Sequence, residues 1–339
     1  MNRKNPLITI AIPTYNRSKY LNELLTSLEN QLKNNPEIQI IISDNASTDA
    51  TSDVVTRFID RGLAAEYIRN PHNIGAEANF VQCFNLARGK YFWIIGDDDI
   101  IVPNGIKAIL NVLNQKDFDL VYIESFAINK KDRVLNTYGD ILLDEMNNPR
   151  EFAKKIHVYF TFISGNIINR DKVARSMTID PHTLIGSSLV QLSWIYTALN
   201  EFSCGLRIRS RLVGARMDNT GGYKLFNVFG KNLKEITTKY VKDEKAARYI
   251  INGTIQRYLP GLIISYERNR EKFVNEGDII KLLHTEFSKN LLYWFYIYPI
   301  LHLPKRVAKL FHIFIRIINK IDRVFGLLIA GLRWDISRE

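Results

Sequence analysis

Three consecutive carboxylates, Asp97, Asp98 and Asp99, directly follow the apolar run 91–95 in YFWIIGDDD. Like charges repel, so a folded chain keeps three at a strand end only when something neutralises them. Hard divalent cations such as Mg2+ or Mn2+ take oxygen ligands, often one or two protein carboxylates plus substrate phosphates. On an extended segment Asp97 and Asp99 face the same side. A cation held there bridges a diphosphate and neutralises a departing phosphate. The opposing reading is a solvated turn that caps the helix after Pro103. The triplet alone leaves both open.

Three further polar clusters stand at the ends of apolar runs: PTYNR (13–17), SDNAST (43–48) and NPHNIGAEAN (70–79). In open α/β sheets ligands bind at the carboxyl ends of strands, so four such clusters together say more than any one. Asp44 can accept an N–H from a nucleobase, or can close an Asx-turn; cytosine and uracil both offer an N–H in that region. Gly75 permits close backbone approach or a plain turn. Competing chemistries have no motif here. There is no GxGxxG after the first strand, no GxxxxGK[ST], no HExxH and no GxSxG.

The elements that must position these clusters follow from periodicity. ITIAIP and IQIIIS are β-branched runs of buried-strand type. Leu21, Leu24, Leu25, Leu28 and Leu32 recur at helical spacing behind Ser18, a plausible N-cap. Continued to FDLVYIESFAIN, the order is β-α-β-α-β-α-β-α-β, which predicts a helix-covered parallel sheet. Beyond about Met146 the rhythm changes, with a short strand in FTFISGNIIN, a helix in SLVQLSWIYTALNEF and a strand in CGLRIRSRLVGAR. From about Phe226 the chain reads as helical.

The chain has 339 residues and a net charge of +11, which points to an anionic partner. Its two cysteines, Cys83 and Cys204, build neither a disulfide framework nor a zinc site, so a reducing compartment is expected. The first apolar run is interrupted by Pro13 and reads as a strand rather than a signal peptide. Residues 301–339 carry eight cations and three anions. Val307, Leu310, Phe311, Phe314, Ile318, Ile321 and Phe325 recur every three or four residues, with Lys309, Arg316 and Arg323 on another face. That is a basic amphipathic helix. The run LLYWFYIYPILHL is too short to span a bilayer. Peripheral attachment to an anionic inner leaflet is expected, with Trp294 and nearby tyrosines at the interface. A helix of this kind equally suits packing on the catalytic domain or on a second copy of the chain.

ITIAIPTYNRSKYLNELLTSL, IIISDNASTDAT, NPHNIGAEANF and YFWIIGDDDIIVPNGI, in this order and spacing, resemble the family 2 glycosyltransferases of the GT-A fold. The resemblance covers about the first 120 residues. It implies a Rossmann-like mixed α/β sheet with helices on both faces, a nucleotide-diphosphate sugar donor and Mn2+ or Mg2+. It places Pro13, Thr14, Tyr15 and Arg17 along the nucleotide pocket and Asp44 at the base. Asn73, Gly75 and Asn79 fall near the ribose and diphosphate. Asp97 to Asp99 stand at the family's DxD motif: Asp99 as the direct metal ligand, Asp97 as a second ligand leaning to ribose or sugar, Asp98 least committed. The wording is also similar to O-antigen glycosyltransferases, including abequosyltransferase-like enzymes that use CDP-3,6-dideoxyhexoses. The expected organisation is a catalytic domain over 1–225 (donor half 1–120, acceptor half 121–225) and a helical, membrane-associating region over 226–339. The expected activity is metal-dependent transfer from a CDP- or UDP-linked sugar to a lipid-linked glycan, at the cytoplasmic face of the cell membrane.

The second half departs from the family pattern. FISGNIINR matches its acceptor turn, giving Ser164, Gly165 and Asn166. The acidic pair that usually follows is replaced by Gly186-Ser187. Either Asp180 or His182 supplies the base, or none exists and the leaving phosphate takes the proton with retention of configuration; both residues also suit a plain surface loop. GARMDNTGGY resembles the family's closing loop, with Arg216 toward the diphosphate and Asp218 where His is common. Arg207, Arg209 and Arg211 read as a solvated strand face. Two other classes compete: a nucleic-acid-binding protein, which explains the charge but not the triplet, and a catalytically silent membrane scaffold.

Overall fold

The computed structural model describes residues 5–33, 35–128, 141–216 and 222–336, with side chains to residue 320. The chain divides into two compact units, 1–219 with 238–246, and 220–237 with 247–339. The first unit is built on a nine-stranded sheet: β1 (Ile8–Thr14), β2 (Ile38–Asp44), β3 (Ala65–Arg69), β4 (Tyr91–Ile94), β5 (Ile100–Ile101), β6 (Leu120–Ile128), β7 (Leu143–Met146), β8 (Asn166–Asn169) and β9 (Gly205–Arg216). Their order is β3-β2-β1-β4-β8-β6-β9-β5, with β7 paired to β9.

The first four strands are parallel, as the alternating pattern predicts. The sheet beyond them is mixed. β8 lies antiparallel between β4 and β6, and β9 runs parallel to β6. The all-parallel expectation thus fails past β4, and the mixed GT-A-type sheet stands. β1 has strands on both sides and all seven of its residues are buried, which is why its sequence is continuously apolar rather than alternating.

Seven helices cover this sheet: α1 (Ser18–Leu32), α2 (Thr51–Asp60), α3 (Ala76–Leu86), α4 (Gly105–Gln115), α5 (Pro149–Ile156), α6 (Arg170–Ser176) and α7 (Leu192–Asn200). The five leucines of α1 pack with Ile10, Ile12 and Trp93 in one core. Each such side chain contributes about 1.5–3 kcal/mol when fully buried. Phe92, on the opposite side of the pleat from Trp93, meets α3 and α7. Phe84 stacks on Trp194 at 5.2 Å, and Phe92 stands edge-on to both rings. This trio ties the end of α3 and the start of α7 to β4. Both cysteines are free and buried.

In the second unit lie α8 (Leu259–Arg268), α9 (Ile279–Phe287), α10 (Leu291–Tyr296), α11 (Tyr298–His302) and α12 (Lys305–Ile336). On α12, Ala308 and Ile315 are buried, whereas Leu310, Ile313, Phe314 and Ile317 are 50–67% exposed. Ile321, Arg323 and Phe325, part of the predicted amphipathic pattern, lie outside the described side chains. Among the described residues, no helix is long and apolar enough to cross a membrane.

Candidate active site

The polar clusters meet where β1 and β4 part. The two strands pair from Ile8 to Ala11, and the Ile95 amide reaches the Ala11 carbonyl. β2 lies on one side of β1 and β4 on the other, so a crevice opens at their carboxyl ends. Beyond that point Thr14 turns its hydroxyl to Asp97 Oδ2 at 2.8 Å. Arg17, just ahead of α1, donates from Nη1 to Asp97 Oδ1 at 3.0 Å and to Asp98 Oδ2 at 3.3 Å.

The triplet is not extended. The Asp99 amide closes onto the Gly96 carbonyl at 3.1 Å, making a turn. The turn reading is therefore correct for the backbone, but α4 is capped by Asn104, not by an aspartate. Gly96 stands at the head of the turn with little room for a side chain. A Cβ there would lie 3.2 Å from Asp98 Oδ1 and 3.3 Å from Asp99 Oδ2, so those two oxygens converge over the space its hydrogen leaves.

Burial sets the electrostatics. Desolvation pushes the Asp97 carboxyl up to about 6, against the opposing pull of Arg17 and Thr14. Asp99 is pushed up to about 7, again mainly by burial, with the Ser164 hydroxyl and the Arg216 amide working the other way. Burial also works against the Arg17 charge, but Asp97 and Asp98 outweigh it and hold the guanidinium above its ordinary value.

The far wall is β9. β5 pairs antiparallel with it, Ile100 opposite Gly214. A Cβ at Gly214 would come within 3 Å of Ile100, Phe126 and Ile128, so only glycine lets the strands approach this closely. The register carries Arg216 over the turn. Its amide donates to Asp99 Oδ1 at 3.2 Å and its Nε to the Asp98 carbonyl at 3.2 Å. Its guanidinium pairs with Glu23 and lies 4.8 Å over the Tyr20 ring. Tyr20 and Glu23 lie outside the four polar clusters of the sequence; their three-residue spacing on α1 is the signal that they share a face. Asp218 lies outside the described residues.

On the acceptor side Ser164 belongs to the cluster. Its Oγ accepts the Gly96 amide at 2.8 Å, and its carbonyl accepts Trp93 Nε1 at 2.9 Å. Asn166 is buried and spends its amide on the carbonyls of Tyr159 and Phe162. It shapes the turn beside Gly165.

The donor side is a polar network. Asp44 is fully buried and accepts from the Ser47 amide at 2.8 Å and the Tyr67 hydroxyl at 2.7 Å, so the Asx-type turn is real. Burial and this carboxylate hold the Tyr67 phenol far above its usual range. Asn79 is also buried, bonding the Ser43 hydroxyl and carbonyl. It ties α3 to β2. Asn73 accepts from Asn45 and from the Gly75 amide, both at 2.8 Å. Gly75 caps α3 with φ +88°, and Tyr15 is 43% exposed at the crevice loop. Pro13 lies past the last residue of β1 paired with β4, where its missing N–H breaks no ladder bond to that strand.

Asp180 and His182 bond within their own loop. Asp180 accepts the His182 amide at 2.9 Å, capping its own short helix, and His182 is exposed. A different carboxylate stands where the acidic pair is missing. Glu77, in the first turn of α3, accepts the Gly186 amide at 2.6 Å and the Leu189 amide at 3.1 Å, with Ser187 Oγ at 3.4 Å. Gly186 and Ser188 both hold positive φ, so this loop is strained as well as anchored. Just past it, Gln191 donates to the Thr161 carbonyl at 2.9 Å, joining the start of α7 to the Ser164 turn. Nothing in the sequence pairs Glu77 with Gly186, because the contact crosses two elements. Charge-assisted bonds of this kind contribute about 1.5–3 kcal/mol. Glu77→Ala is expected to speed hydrogen exchange at the Gly186 and Leu189 amides roughly 10- to 100-fold, with α3 amides unchanged. Equal exchange in both proteins would show that Glu77 does not hold the loop.

A sequence model described as "Glycosyl transferase family 2" matches residues 9–177. The abequosyltransferase RfbV of Salmonella typhimurium is 33% identical over 231 residues, 63% of this chain and 67% of that protein. Among solved structures, S. aureus TarS 1–349 in complex with UDP superposes with a TM-score of 0.60 at 15% identity, over 91% of this chain and 88% of that one. The Pyrobaculum calidifontis mannosyltransferase PcManGT, solved with GDP-Man and Mn2+, gives 0.52 at 15% identity, over 94% and 88%. These structural likenesses are of fold, and the fold is GT-A.

Proposed function

This chain belongs to glycosyl transferase family 2, and from that premise we propose that it moves a sugar from a CDP- or UDP-linked donor to a lipid-linked glycan in a metal-dependent reaction. A 3,6-dideoxyhexose is the favoured sugar, because a relative 33% identical over 63% of this chain is an abequosyltransferase. The observation that carries the reading is the convergence of Thr14, Arg17, the Asp97–Asp99 turn, Ser164 and Arg216 at one sheet edge.

The residues fit a hard divalent cation. Two carboxylate oxygens, from Asp98 and Asp99, face one space above Gly96. Both oxygens of Asp97 are engaged, by Thr14 and Arg17, whereas Arg17 meets Asp98 through Oδ2. Among the described residues, no three His, Cys, Asp or Glu side chains form a complete cage. Mg2+ and Mn2+ often take only one or two protein carboxylates and keep positions for phosphates. Asp99 with Asp98 would hold the ion, and Asp97 would hold Arg17 in place. When bound, the ion supplies charge to neutralise the departing diphosphate. Arg17 and Arg216, from opposite walls, add fixed positive charge around the same spot.

A thermal-shift screen of nucleotide sugars tests this. CDP- or UDP-linked donors should raise the melting midpoint only with Mn2+ or Mg2+ present. No shift from any nucleotide sugar, and no transfer, would overturn the reading. Product NMR then separates inversion, which needs a protein base such as Asp180 or His182, from retention.

The acceptor reading rests on α12. Val307, Leu310, Phe314 and Ile317 form an exposed apolar row, flanked by Lys309, Arg316 and Lys320. Exposed apolar area bordered by cations suits an anionic bilayer. Trp294, 44% exposed, sits on α10 with Tyr298 at 4.9 Å. Leu310→Ser/Phe314→Ser/Ile317→Ser is expected to abolish co-flotation with phosphatidylglycerol vesicles and to leave the melting midpoint unchanged. Undiminished flotation would sink the membrane reading.

A further inference from the structure

The helical second unit holds a cavity of about 640 Å³ that no part of the transfer site uses. Its floor is aliphatic: Ile263 of α8, Ile279 of α9, Ile300 of α11 and Ala308 of α12 are all buried there. Its rim is cationic, with Arg268, Arg270, Lys305 and Lys309 against Glu267 and Asp278. Glu267 pairs with Lys305 at 3.5 Å, and Asp278 accepts the Lys281 amide as the cap of α9. Four cations against two acids leave a net positive excess of two over an oily pocket. Lys309 lines the cavity and also flanks the exposed apolar row of α12, so the mouth borders the face assigned to the bilayer.

We propose that this cavity binds one anionic phospholipid, its phosphate at Arg268, Arg270 and Lys309 and an acyl chain along the aliphatic floor. The volume falls in the range of small-ligand sites, about 300–1,000 Å³. A pocket lined only by isoleucine would take any apolar molecule. A rim of cations alone would take free phosphate. The two together select an amphiphile with an anionic head. The inference rests on the membrane reading only for the source of the lipid.

The test uses the full-length protein and phosphatidylglycerol or phosphatidylcholine vesicles, followed by detergent extraction and native mass spectrometry. The wild type should retain one phosphatidylglycerol and no phosphatidylcholine. Arg268→Ser/Arg270→Ser removes the head contacts. Ile280→Trp, at an exposed rim position of the cavity, crowds the chain path and keeps every cation. Both should retain at least tenfold less lipid, and Ile280→Trp should still float with vesicles. Retention by both variants at the wild-type level, or equal retention of phosphatidylcholine, overturns the proposal. If the wild type does not float at all, the membrane reading fails by itself. Binding of water-soluble dihexanoyl phosphatidylglycerol, lost in the two variants, then still supports the cavity, and its absence overturns it. Retention of an isoprenoid-phosphate lipid in preference to phosphatidylglycerol would also overturn it and assign the cavity to the glycan carrier.

Discussion

Asp99→Asn lowers kcat roughly 1,000-fold or more and, in cation-free buffer at pH 7.5, melts a few degrees above the wild type. The first half follows from losing the carboxylate best placed to carry a divalent ion; several kcal/mol of charge stabilisation correspond to about three decades of rate. The second half follows from burial. Asp99 titrates at about 7 in the folded chain because it is desolvated beside two other aspartates, against about 3.9 when unfolded. Between those values the folded state holds a proton that the unfolded state has released. The stability it contributes is complete below about pH 4 and is lost as pH rises through 7. The full shift corresponds to at most about 4 kcal/mol, and to less after relaxation. Asparagine never ionises and escapes that loss. The wild type should therefore lose stability from pH 5 to 7.5, and Mn2+ should restore it in the wild type alone. Scanning fluorimetry at both pH values, with and without Mn2+, reads this out. A variant that melts below the wild type at pH 7.5 without cation would refute the electrostatic account.

Arg216→Ala is the second large effect, with an expected fall of roughly 100- to 1,000-fold in kcat/KM for the donor. The substitution leaves the backbone N–H on Asp99 intact. It removes the Nε bond to the Asp98 carbonyl, the ion pair with Glu23 and the stack on Tyr20. The end of β9 then loses its side-chain ties to α1 and to the aspartate turn. Arg216→Lys should recover little, because an ammonium cannot reproduce a fork that bonds in two directions and stacks. Glu23→Gln, which removes only the partly exposed ion pair, should change kcat/KM by a few-fold at most. Full recovery by lysine would reduce Arg216 to a point charge.

Much of the donor half was legible because its signals are short-range. An Ile- and Thr-rich run followed by a polar cluster marks a strand and its carboxyl end, and the α1 leucines mark a buried helix face. The aspartate triplet was legible as a charge problem with a turn among its readings, but its anchor was not, since Ser164 comes from far along the chain. The roles of Asp44 and Asn79 were harder to read. A polar residue looks the same in sequence whether its partner is a ligand or the protein, and both make bonds within the protein here. β8 between β4 and β6, and Glu77 beneath Gly186, are long-range pairings with no local pattern to announce them.

The position of β8 bears on how the chain is made. Until Ile167 and Ile168 are synthesised, β4 offers Trp93 and Phe92 along an unpaired, wholly apolar edge. Such edges recruit other chains, and long-range strand pairing is slow. The donor half, with its four parallel strands and most of the nucleotide motifs, is therefore a poor candidate for an autonomous fragment. Cut before residue 166, it should aggregate on translation, and a nascent chain stalled there would depend on a chaperone to shield that edge until its antiparallel neighbour emerged.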